Sequence, residues 1–295
     1  MSSTQEFPIR KEDWVDSHGT DSRRVGDFLW SATHTTEDDS DDSSYVYDIT
    51  EVRCWPNSPN EQTLLWNCAV KITFVRRGRG GRVENVTSHV VNFCNEAPYF
   101  SVDTEFGRQN KPFYSFYQIE IFESLCVDLS EPRNELIEEP EDEVHFKVNG
   151  VEMFLSKKVL ECHSPFFNAL FNHDLKDRAI EFYEIKDIDL DGFLSFLRVV
   201  YALDMTVHED SYESLLYLGD VFQCKLVVRL CEAYLLQLTE DEMSWADKIF
   251  TGDRYKLQRL LLHSMHEVPI NVWRALPGKE QLSLATQELF AKIRP

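Results

Sequence analysis

Apolar and polar residues alternate with a period close to two through the first half of the chain. The alternating segments are rich in aromatic and β-branched residues, and they cover residues 45–47, 66–75, 83–94 and 113–122. Because successive side chains of a strand point to opposite faces of its sheet, this pattern predicts half-buried strands. The glycine-rich run 76–82 predicts a hairpin turn between the second and third strands. The first half is therefore expected to be a β-sandwich of antiparallel strands.

The periodicity changes after residue 142, where a hairpin is predicted. Residues 144–148 and 151–155 alternate, and they flank the dipeptide Asn149-Gly150. Both residues of this dipeptide tolerate positive φ, which makes it a strong hairpin-turn signal. A strand pair is therefore expected at the start of the second half.

Helices are expected to follow the hairpin. Ser156 and Ser164 are suited to cap helix N-termini, and Pro165 fits the first turn of the second helix. A short apolar segment at 180–185 predicts a further strand. After it, apolar residues recur at helical spacing in segments that begin near residues 189, 210 and 225.

The charge of the chain restricts its partners. The 295 residues include 30 Lys and Arg against 51 Asp and Glu, which gives a formal net charge of −21. Nucleic acid and anionic membranes bind clustered cations, so neither is an expected partner, and the arginines of 76–82 form only one short hairpin tip. With 43% hydrophobic and 13% aromatic residues, the chain can still fill the cores of two or three domains.

The acidic residues concentrate in two runs, at 37–44 and at 131–143. Both are expected to be solvated connectors, with an acidic partner-binding segment as the alternative. Pro132 and Pro140 bracket the second run and disfavour one continuous helix across it. A domain boundary is therefore expected near 130–142.

The chemistry-bearing residues form no catalytic pattern. Phosphate-binding, nucleophile-elbow and zinc-protease motifs are absent from the sequence. His163 beside Cys162, and His263 with His266, lack the further close ligands that a metal site needs. The sequence thus predicts neither an enzyme nor a metal or cofactor site.

The cysteines favour a reducing environment. There are 7 of them, an odd number without a C-x-x-C pair, which is typical of free thiols. The N-terminal residues lack the basic start and apolar run of a signal peptide, and no apolar stretch has the length of a membrane span. A cytoplasmic or nuclear location is therefore expected.

Residues from 143 onward carry motifs of a known family. The motifs are Glu143-Val144-x-Phe146-x-Val148-x-Gly150, Lys157-Lys158-Val159-Leu160, His163-Ser164-Pro165-Phe166-Phe167 and Cys231-Glu232-x-Tyr234-Leu235. This region resembles a BTB/POZ domain, which is expected over residues 143–238. Met153 and Ser156 stand where the family usually has Phe and His. The dimer surface near the first helix is therefore expected to differ from that of better-known members.

The flanking regions resemble two domains that accompany BTB domains. Gly26-Asp27-Phe28-x-Trp30 and Trp66-x-Cys68-x-Val70-x-Ile72-x-Phe74 are similar to a MATH domain, and residues 239–295 resemble the start of a BACK-type helical extension. The expected fold class is α+β multidomain. It comprises a MATH-like β-sandwich at 1–130 with an acidic loop at 37–44, an acidic linker at 131–142, a central α/β BTB/POZ domain at 143–238 and a short helical BACK-like extension at 239–295.

The resemblance implies a non-catalytic role in ubiquitin ligation. The MATH-BTB class acts as substrate adaptors of cullin-3 RING ubiquitin ligases, in which the BTB domain dimerises and docks the cullin while the MATH domain captures the substrate. The implied partners are cullin-3, a second copy of the chain or another BTB protein, and an unidentified protein substrate. The alternative is a BTB dimerisation scaffold or transcriptional co-regulator without a ligase role.

The resemblance also implies a cullin-binding element. Such adaptors use a hydrophobic-x-acidic element after the third helix, and the matching stretch here is 172–177. Leu175 would enter a pocket and Asp177 would accept hydrogen bonds, with Phe171 and Asp174 beside them. The family more often has Glu at the last position, so Asp177 keeps the charge and shortens the reach. The alternative is that Leu175 packs locally and Asp177 only breaks the helix.

Two further sets of residues are predicted to bind proteins. The dimer interface should involve apolar residues of the first BTB helices, some of which must instead face the domain's own core: Leu160, Phe166, Phe167 and Leu170. The substrate groove should use aromatic residues near the end of the β-domain, for which core packing is the alternative: Tyr99, Phe100, Phe106, Phe113 and Tyr114.

Overall fold

The computed structural model of the chain describes residues 4–9, 23–38, 45–58, 60–77, 82–107, 114–173 and 182–293. The chain divides into two compact units, Met1–Leu136 and Ile137–Pro295. The described residues of the N-terminal unit are mainly strands, whereas the C-terminal unit combines a small sheet with helices. The division falls inside the acidic run at 131–143.

The strands of the N-terminal unit form two four-stranded sheets. They are β1 (Thr4–Ile9), β2 (Arg23–Val25), β3 (Phe28–Asp38), β4 (Tyr45–Pro56), β5 (Leu64–Arg77), β6 (Val83–Cys94), β7 (Tyr99–Gly107) and β8 (Tyr114–Asp128). One sheet has the order β1-β8-β5-β6 and the other the order β2-β3-β4-β7. All neighbouring strands run antiparallel.

Alternation in the sequence identifies only part of these sheets. The segments predicted at 66–75 and 83–94 correspond to β5 and β6, which pair as an antiparallel hairpin. The segment at 45–47 covers only the start of β4, and the pattern misses β1, β2, β3 and β7. Strand β3 has threonine and acidic residues where a regular strand pattern would have apolar ones. Its pairing with β2 and β4 therefore stabilises a strand that the sequence pattern does not predict.

The two sheets of the N-terminal unit bury one hydrophobic core. In β5 alternate side chains are buried, including Trp66 and Cys68. Trp30 of β3 packs edge-on against Phe93 of β6 with ring centroids 5.3 Å apart, and Phe28 lies 5.6 Å from Trp66. Burying each large side chain contributes about 1.5–3 kcal/mol, so this core holds the two sheets together.

The acidic connector is anchored rather than fully solvated. Its carboxylates at positions 131, 135, 138 and 139 are exposed, but the side chains of Leu129, Asn134 and Ile137 are buried. Asp128 accepts hydrogen bonds from Asn60 Nδ2 at 2.7 Å and from the Ser130 N–H at 2.9 Å. The end of β8 is therefore tied to the residues that precede β5.

The C-terminal unit opens with a three-stranded sheet. Its strands are β9 (Glu143–Val148), β10 (Val151–Ser156) and β11 (Tyr183–Ile185), in the order β10-β9-β11. The predicted hairpin joins β9 and β10, and the φ angles of Asn149 and Gly150 are 47° and 90°. These angles lie in the left-handed region, as the dipeptide predicts. Strand β11 pairs with β9 in parallel.

Helices cover the rest of this unit. They are α1 (Lys157–His163), α2 (Pro165–His173), α3 (Leu190–Val200), α4 (Tyr212–Val221), α5 (Lys225–Leu235), α6 (Trp245–Arg254), α7 (Gln258–Glu267), α8 (Ile270–Ala275) and α9 (Leu284–Ile293). The hydroxyls of Ser156 and Ser164 accept hydrogen bonds from first-turn N–H groups of α1 and α2, at 3.3 and 3.2 Å. The predicted caps are therefore confirmed. None of the described helices has the length and apolar character needed to cross a membrane.

Phenylalanine side chains form the centre of the C-terminal unit. Phe167 of α2 lies between Phe146 of β9 and Phe222 after α4, with centroid distances of 5.9 and 4.7 Å. Phe193 and Phe196 of α3 complete the cluster against Phe222 at 6.0 and 5.1 Å. Offset and edge-to-face ring contacts of this kind add to the energy of burial and fix the helices on the sheet.

The helices from α6 onward bury a second apolar cluster. Trp273 stacks on Phe290 with centroids 3.6 Å apart. Lys248 is buried, and its Nζ donates a hydrogen bond to the Leu238 carbonyl and lies 5.2 Å from the Trp245 ring centroid. Burial lowers the pKa of Lys248, although nearby carboxylates oppose this shift. The hydrogen bond to Leu238 ties α6 to the residues that follow α5.

Candidate functional site

A buried hydrogen-bond network positions the start of α1. The Ser156 hydroxyl donates to the Asp142 carboxylate, which also accepts from the Lys158 N–H at 2.6 Å. The Ser156 N–H donates to the Tyr201 hydroxyl at 2.7 Å. Burial raises the pKa of Tyr201, so its hydroxyl stays protonated. The sequence identifies the Ser156 cap, but the contributions of Asp142 and Tyr201 depend on tertiary contacts.

The four residues predicted for the dimer interface separate into two pairs. Leu160 and Phe167 are fully buried within the described chain and pack in the domain's own core. Phe166 and Leu170 are only partly buried. The ring of Phe166 lies 5.4 Å from that of Phe222, so its inner edge contacts the core. Within this set, Phe166 and Leu170 retain surface that a second chain could contact.

The core fixes the chain on both sides of the predicted cullin element. Phe171, near the end of α2, is buried, and its ring centroid lies 5.3 Å from that of Tyr183 at the start of β11. The segment between these residues carries Asp174, Leu175 and Asp177, which lie outside the described residues. Phe171 therefore packs inside the domain, next to the point where the segment begins.

A surface that the sequence pattern does not single out lies on the outer face of the small sheet. His145 stacks on Phe154 with centroids 4.6 Å apart, and Lys147 Nζ lies 5.5 Å from the ring centroid of Phe182. Glu152 pairs with Lys147 at 3.7 Å. The alternation of β9 puts His145 and Lys147 on one face, but the approach of Phe182 depends on the parallel pairing of a strand distant in sequence. We call these five residues the outer sheet face.

The aromatic residues predicted for the substrate groove do not share one environment. Tyr99 is 56% exposed, whereas Phe100 packs against the core. The two are consecutive residues of β7, so their side chains point to opposite faces of the sheet. Phe106 and Tyr114 lie in β7 and β8, and Phe113 lies outside the described residues. Of the two whose side chains the structure describes, Tyr99 is the more exposed.

Several thiols of the chain are protected by their surroundings. None of the seven cysteines, all of which lie in the described ranges, forms a disulfide. Burial raises the pKa of Cys54 and Cys224, and burial together with nearby carboxylates raises that of Cys126 to about 11. A thiol with a raised pKa carries little thiolate at neutral pH and is a poor nucleophile. The positions of these three cysteines therefore favour structural roles.

Comparison with known proteins identifies the central region. Residues 138–239 match the family model described as BTB/POZ domain. BTB and MATH domain-containing protein 38 of Caenorhabditis elegans is 32% identical over 127 residues, which cover 41% of this chain and 32% of that protein. BTB and MATH domain-containing protein 36 of the same organism is 23% identical over 174 residues, which cover 58% of this chain and 53% of that protein.

A relative of another class also matches part of the chain. Kelch-like protein 8 of Mus musculus is 31% identical over 93 residues, which cover 32% of this chain and 15% of that protein. The chain thus spans between about a sixth and about half of the length of these relatives. The hairpin, capped helices and parallel third strand lie within the region matched to the family. Residues 138–239 are therefore a BTB/POZ domain, in a chain that is similar to BTB and MATH domain-containing proteins.

Proposed function

We propose that the chain is a non-catalytic substrate adaptor of a cullin-3 RING ubiquitin ligase. The observation that supports this most is the BTB/POZ domain at 138–239, together with the similarity to BTB and MATH domain-containing proteins. In this proposal the BTB domain binds the cullin and a second copy of the chain, and the N-terminal unit binds a protein substrate. Such an adaptor would act in the cytoplasm or nucleus, where its free thiols would stay reduced.

The proposed cullin contact follows α2. Leu175 is expected to fill an apolar pocket of the cullin, and the carboxylates of Asp174 and Asp177 to steer the encounter and accept hydrogen bonds. Phe171 anchors this segment from within the core, because its ring packs against Tyr183 at 5.3 Å. Phe182 directly precedes Tyr183 and is 37% exposed, so the outer sheet face would extend the same contact.

The proposed dimer contact uses the first two BTB helices. Phe166 and Leu170 are partly exposed on α2 and would bury their remaining surface against the second copy. Leu160 and Phe167 would support the interface from behind, since both are fully buried in the core. Association through apolar side chains presented by a rigid helix costs little conformational entropy.

The proposed substrate contact lies on the N-terminal unit. Tyr99 of β7 combines an exposed ring with a hydroxyl, which is typical of an anchor at a protein interface. Phe100 would hold this strand to the core from the opposite face. Phe106, Phe113 and Tyr114 would complete the aromatic surface.

A pull-down with the 295-residue chain tests the ligase role. The purified chain should retain the N-terminal domain of cullin-3, and Leu175→Glu combined with Asp177→Arg should abolish this binding. A matched control is Leu284→Glu combined with Glu288→Arg, which changes an exposed leucine and an exposed acid on α9 in the same way. We expect the control to bind like wild type.

Two results would contradict the proposal. Absence of cullin binding by the wild-type chain would remove the ligase role and favour the dimerisation scaffold or transcriptional co-regulator. Equal binding by the wild type and the 175/177 variant would move the contact to another surface.

A further inference from the structure

A cleft of about 350 Å³ lies in the N-terminal unit. Its walls come from the turn between β2 and β3, the residues after β4, the end of β8 and the segment that follows β8. Ligand sites of folded proteins begin at about this size, whereas a single water or ion needs only roughly a tenth of it. We propose that this cleft binds an arginine side chain of a protein partner.

The charged groups of the cleft favour a cation. Asp27 and Glu135 line it from segments far apart in the sequence, and both side chains are exposed to solvent. None of the described residues that line the cleft is Lys or Arg. Arg24 lies 3.8 Å from Asp27, but both side chains are largely exposed, and such a pair holds its partners weakly. An incoming cation can therefore compete for the Asp27 carboxylate.

The same carboxylates also act on a thiol in the cleft wall. Cys126 belongs to the lining, and burial followed by the charges of Asp27, Asp128 and Glu135 raises its pKa to about 11. Burial alone would raise the pKa of Asp128, but hydrogen bonds from Asn60, Ser130 and Thr63 lower it below its usual value. Asp128 therefore remains ionised at neutral pH and contributes a permanent negative charge behind the wall.

The remaining lining suits a guanidinium better than an ammonium group. The polar residues Ser124 and Asn57 and the apolar residue Leu125 line the cleft beside the two acids. A guanidinium is planar and weakly hydrated, it can donate two parallel hydrogen bonds to one carboxylate, and its stem packs on apolar groups. A lysine ammonium is a strongly hydrated point charge, so it would make fewer favourable contacts with the polar and apolar residues of the lining.

The cleft is held open by the fold. The Asn57 N–H donates to the Asp27 carbonyl at 2.9 Å, which ties the β2–β3 turn to the end of β4. Phe28 is buried and its ring packs against Trp66 at 5.6 Å, so it cannot collapse into the space. Fixed backbone walls reduce the ordering cost of binding.

This inference goes beyond the adaptor role. It depends neither on the cullin element nor on Tyr99, because the cleft is built from other segments of the N-terminal unit. It would give the chain a second point of attachment to a protein partner, selective for an arginine-containing segment.

Selective labelling provides a direct test on the full chain. The seven cysteines give a simple amide spectrum when only cysteine carries ¹⁵N, and a Cys126→Ser variant identifies the signal of Cys126. N-acetyl-arginine amide is titrated as the probe, and N-acetyl-citrulline amide serves as its uncharged match. We expect the arginine probe to shift the Cys126 signal in a saturable manner and the citrulline probe to leave it unchanged.

Variants of the carboxylates complete the test. Asp27→Asn combined with Glu135→Gln should weaken binding of the arginine probe about tenfold or more, because two charged acceptors become neutral. Glu131→Gln combined with Glu138→Gln removes the same charge at exposed positions outside the lining and should leave binding unchanged. The inference is overturned by equal shifts with both probes, by no saturable shift, or by wild-type affinity in the 27/135 variant. Any of these results would leave cullin binding, and thus the adaptor proposal, untouched.

Discussion

The Glu232 carboxylate accepts a hydrogen bond from the Arg259 N–H at 2.7 Å. It also accepts one from the Leu260 N–H at 3.2 Å. Helix α7 begins without a side-chain cap of its own, since Leu257 occupies that position. A buried acid of α5 therefore supplies the cap and meets the positive end of the α7 dipole. The last BTB helix is thereby joined to the helices that follow it.

Removal of this cap should loosen α7. We expect Glu232→Ala to lower the free energy of unfolding by about 1–3 kcal/mol, because one buried and one partly buried N–H group lose their acceptor. Glu232→Gln keeps an oxygen acceptor and should lose less. Hydrogen exchange at the amides of Arg259 and Leu260 should accelerate in the same order. Glu240→Ala, at an exposed position nearby, should change neither quantity, and unchanged exchange in Glu232→Ala would contradict the assignment.

A second prediction concerns a buried ion pair in the BTB domain. Arg198 of α3 is fully buried, and its guanidinium lies 3.2 Å from the Asp204 carboxylate and donates to the Thr206 carbonyl at 3.2 Å. Asp204→Ala should cost about 3–5 kcal/mol, because the buried guanidinium loses the carboxylate that lies 3.2 Å from it. Arg198→Met combined with Asp204→Ala should recover part of this loss. Urea unfolding curves of the wild type, Asp204→Ala and the double variant measure these free energies. A double variant less stable than Asp204→Ala would contradict this account.

Local signals were sufficient for some of these features and not for others. The Asn149-Gly150 turn and the Ser156 cap depend on residues close in sequence, so the pattern identifies them directly. The Glu232 cap joins residues 27 positions apart and leaves no local mark. The motif Cys231-Glu232-x-Tyr234-Leu235 includes this acid, but nothing in the motif indicates that its carboxylate caps a later helix.

The sequence also does not show which of the predicted interface residues are buried in the core. Apolar character alone does not separate Leu160, which is fully buried, from Leu170, which is partly exposed. Tyr99 and Phe100 are adjacent aromatics, yet the pleat of β7 exposes one and packs the other against the core. The fold must be known before surface anchors can be distinguished from core residues.

A third prediction uses the pH dependence of stability. Hydrogen bonds lower the pKa of Asp128 in the folded chain, despite the opposing effect of burial. Its stabilising effect should therefore be complete above the unfolded pKa of about 4 and disappear as pH falls through the lower folded value. We expect Asp128→Asn to be about 1–2 kcal/mol less stable than wild type at pH 7, and the difference to narrow as the pH falls below about 4. Glu131→Gln, at an exposed site, is the control, and a gap between wild type and Asp128→Asn that stays constant with pH would argue against this role.

The last prediction separates the proposed dimer surface from the core behind it. Leu170 is partly exposed on α2, so Leu170→Asp should leave the melting temperature nearly unchanged while charge repulsion and desolvation oppose association. Phe167 is fully buried between Phe146 and Phe222, so Phe167→Ala should cost about 3–5 kcal/mol through cavity formation. Size-exclusion chromatography with light scattering should report twice the chain mass of 34.5 kDa for wild type and the single mass for Leu170→Asp. If the Leu170→Asp variant is still a dimer, the interface lies elsewhere, because an aspartate buried against the second chain at this position would prevent association.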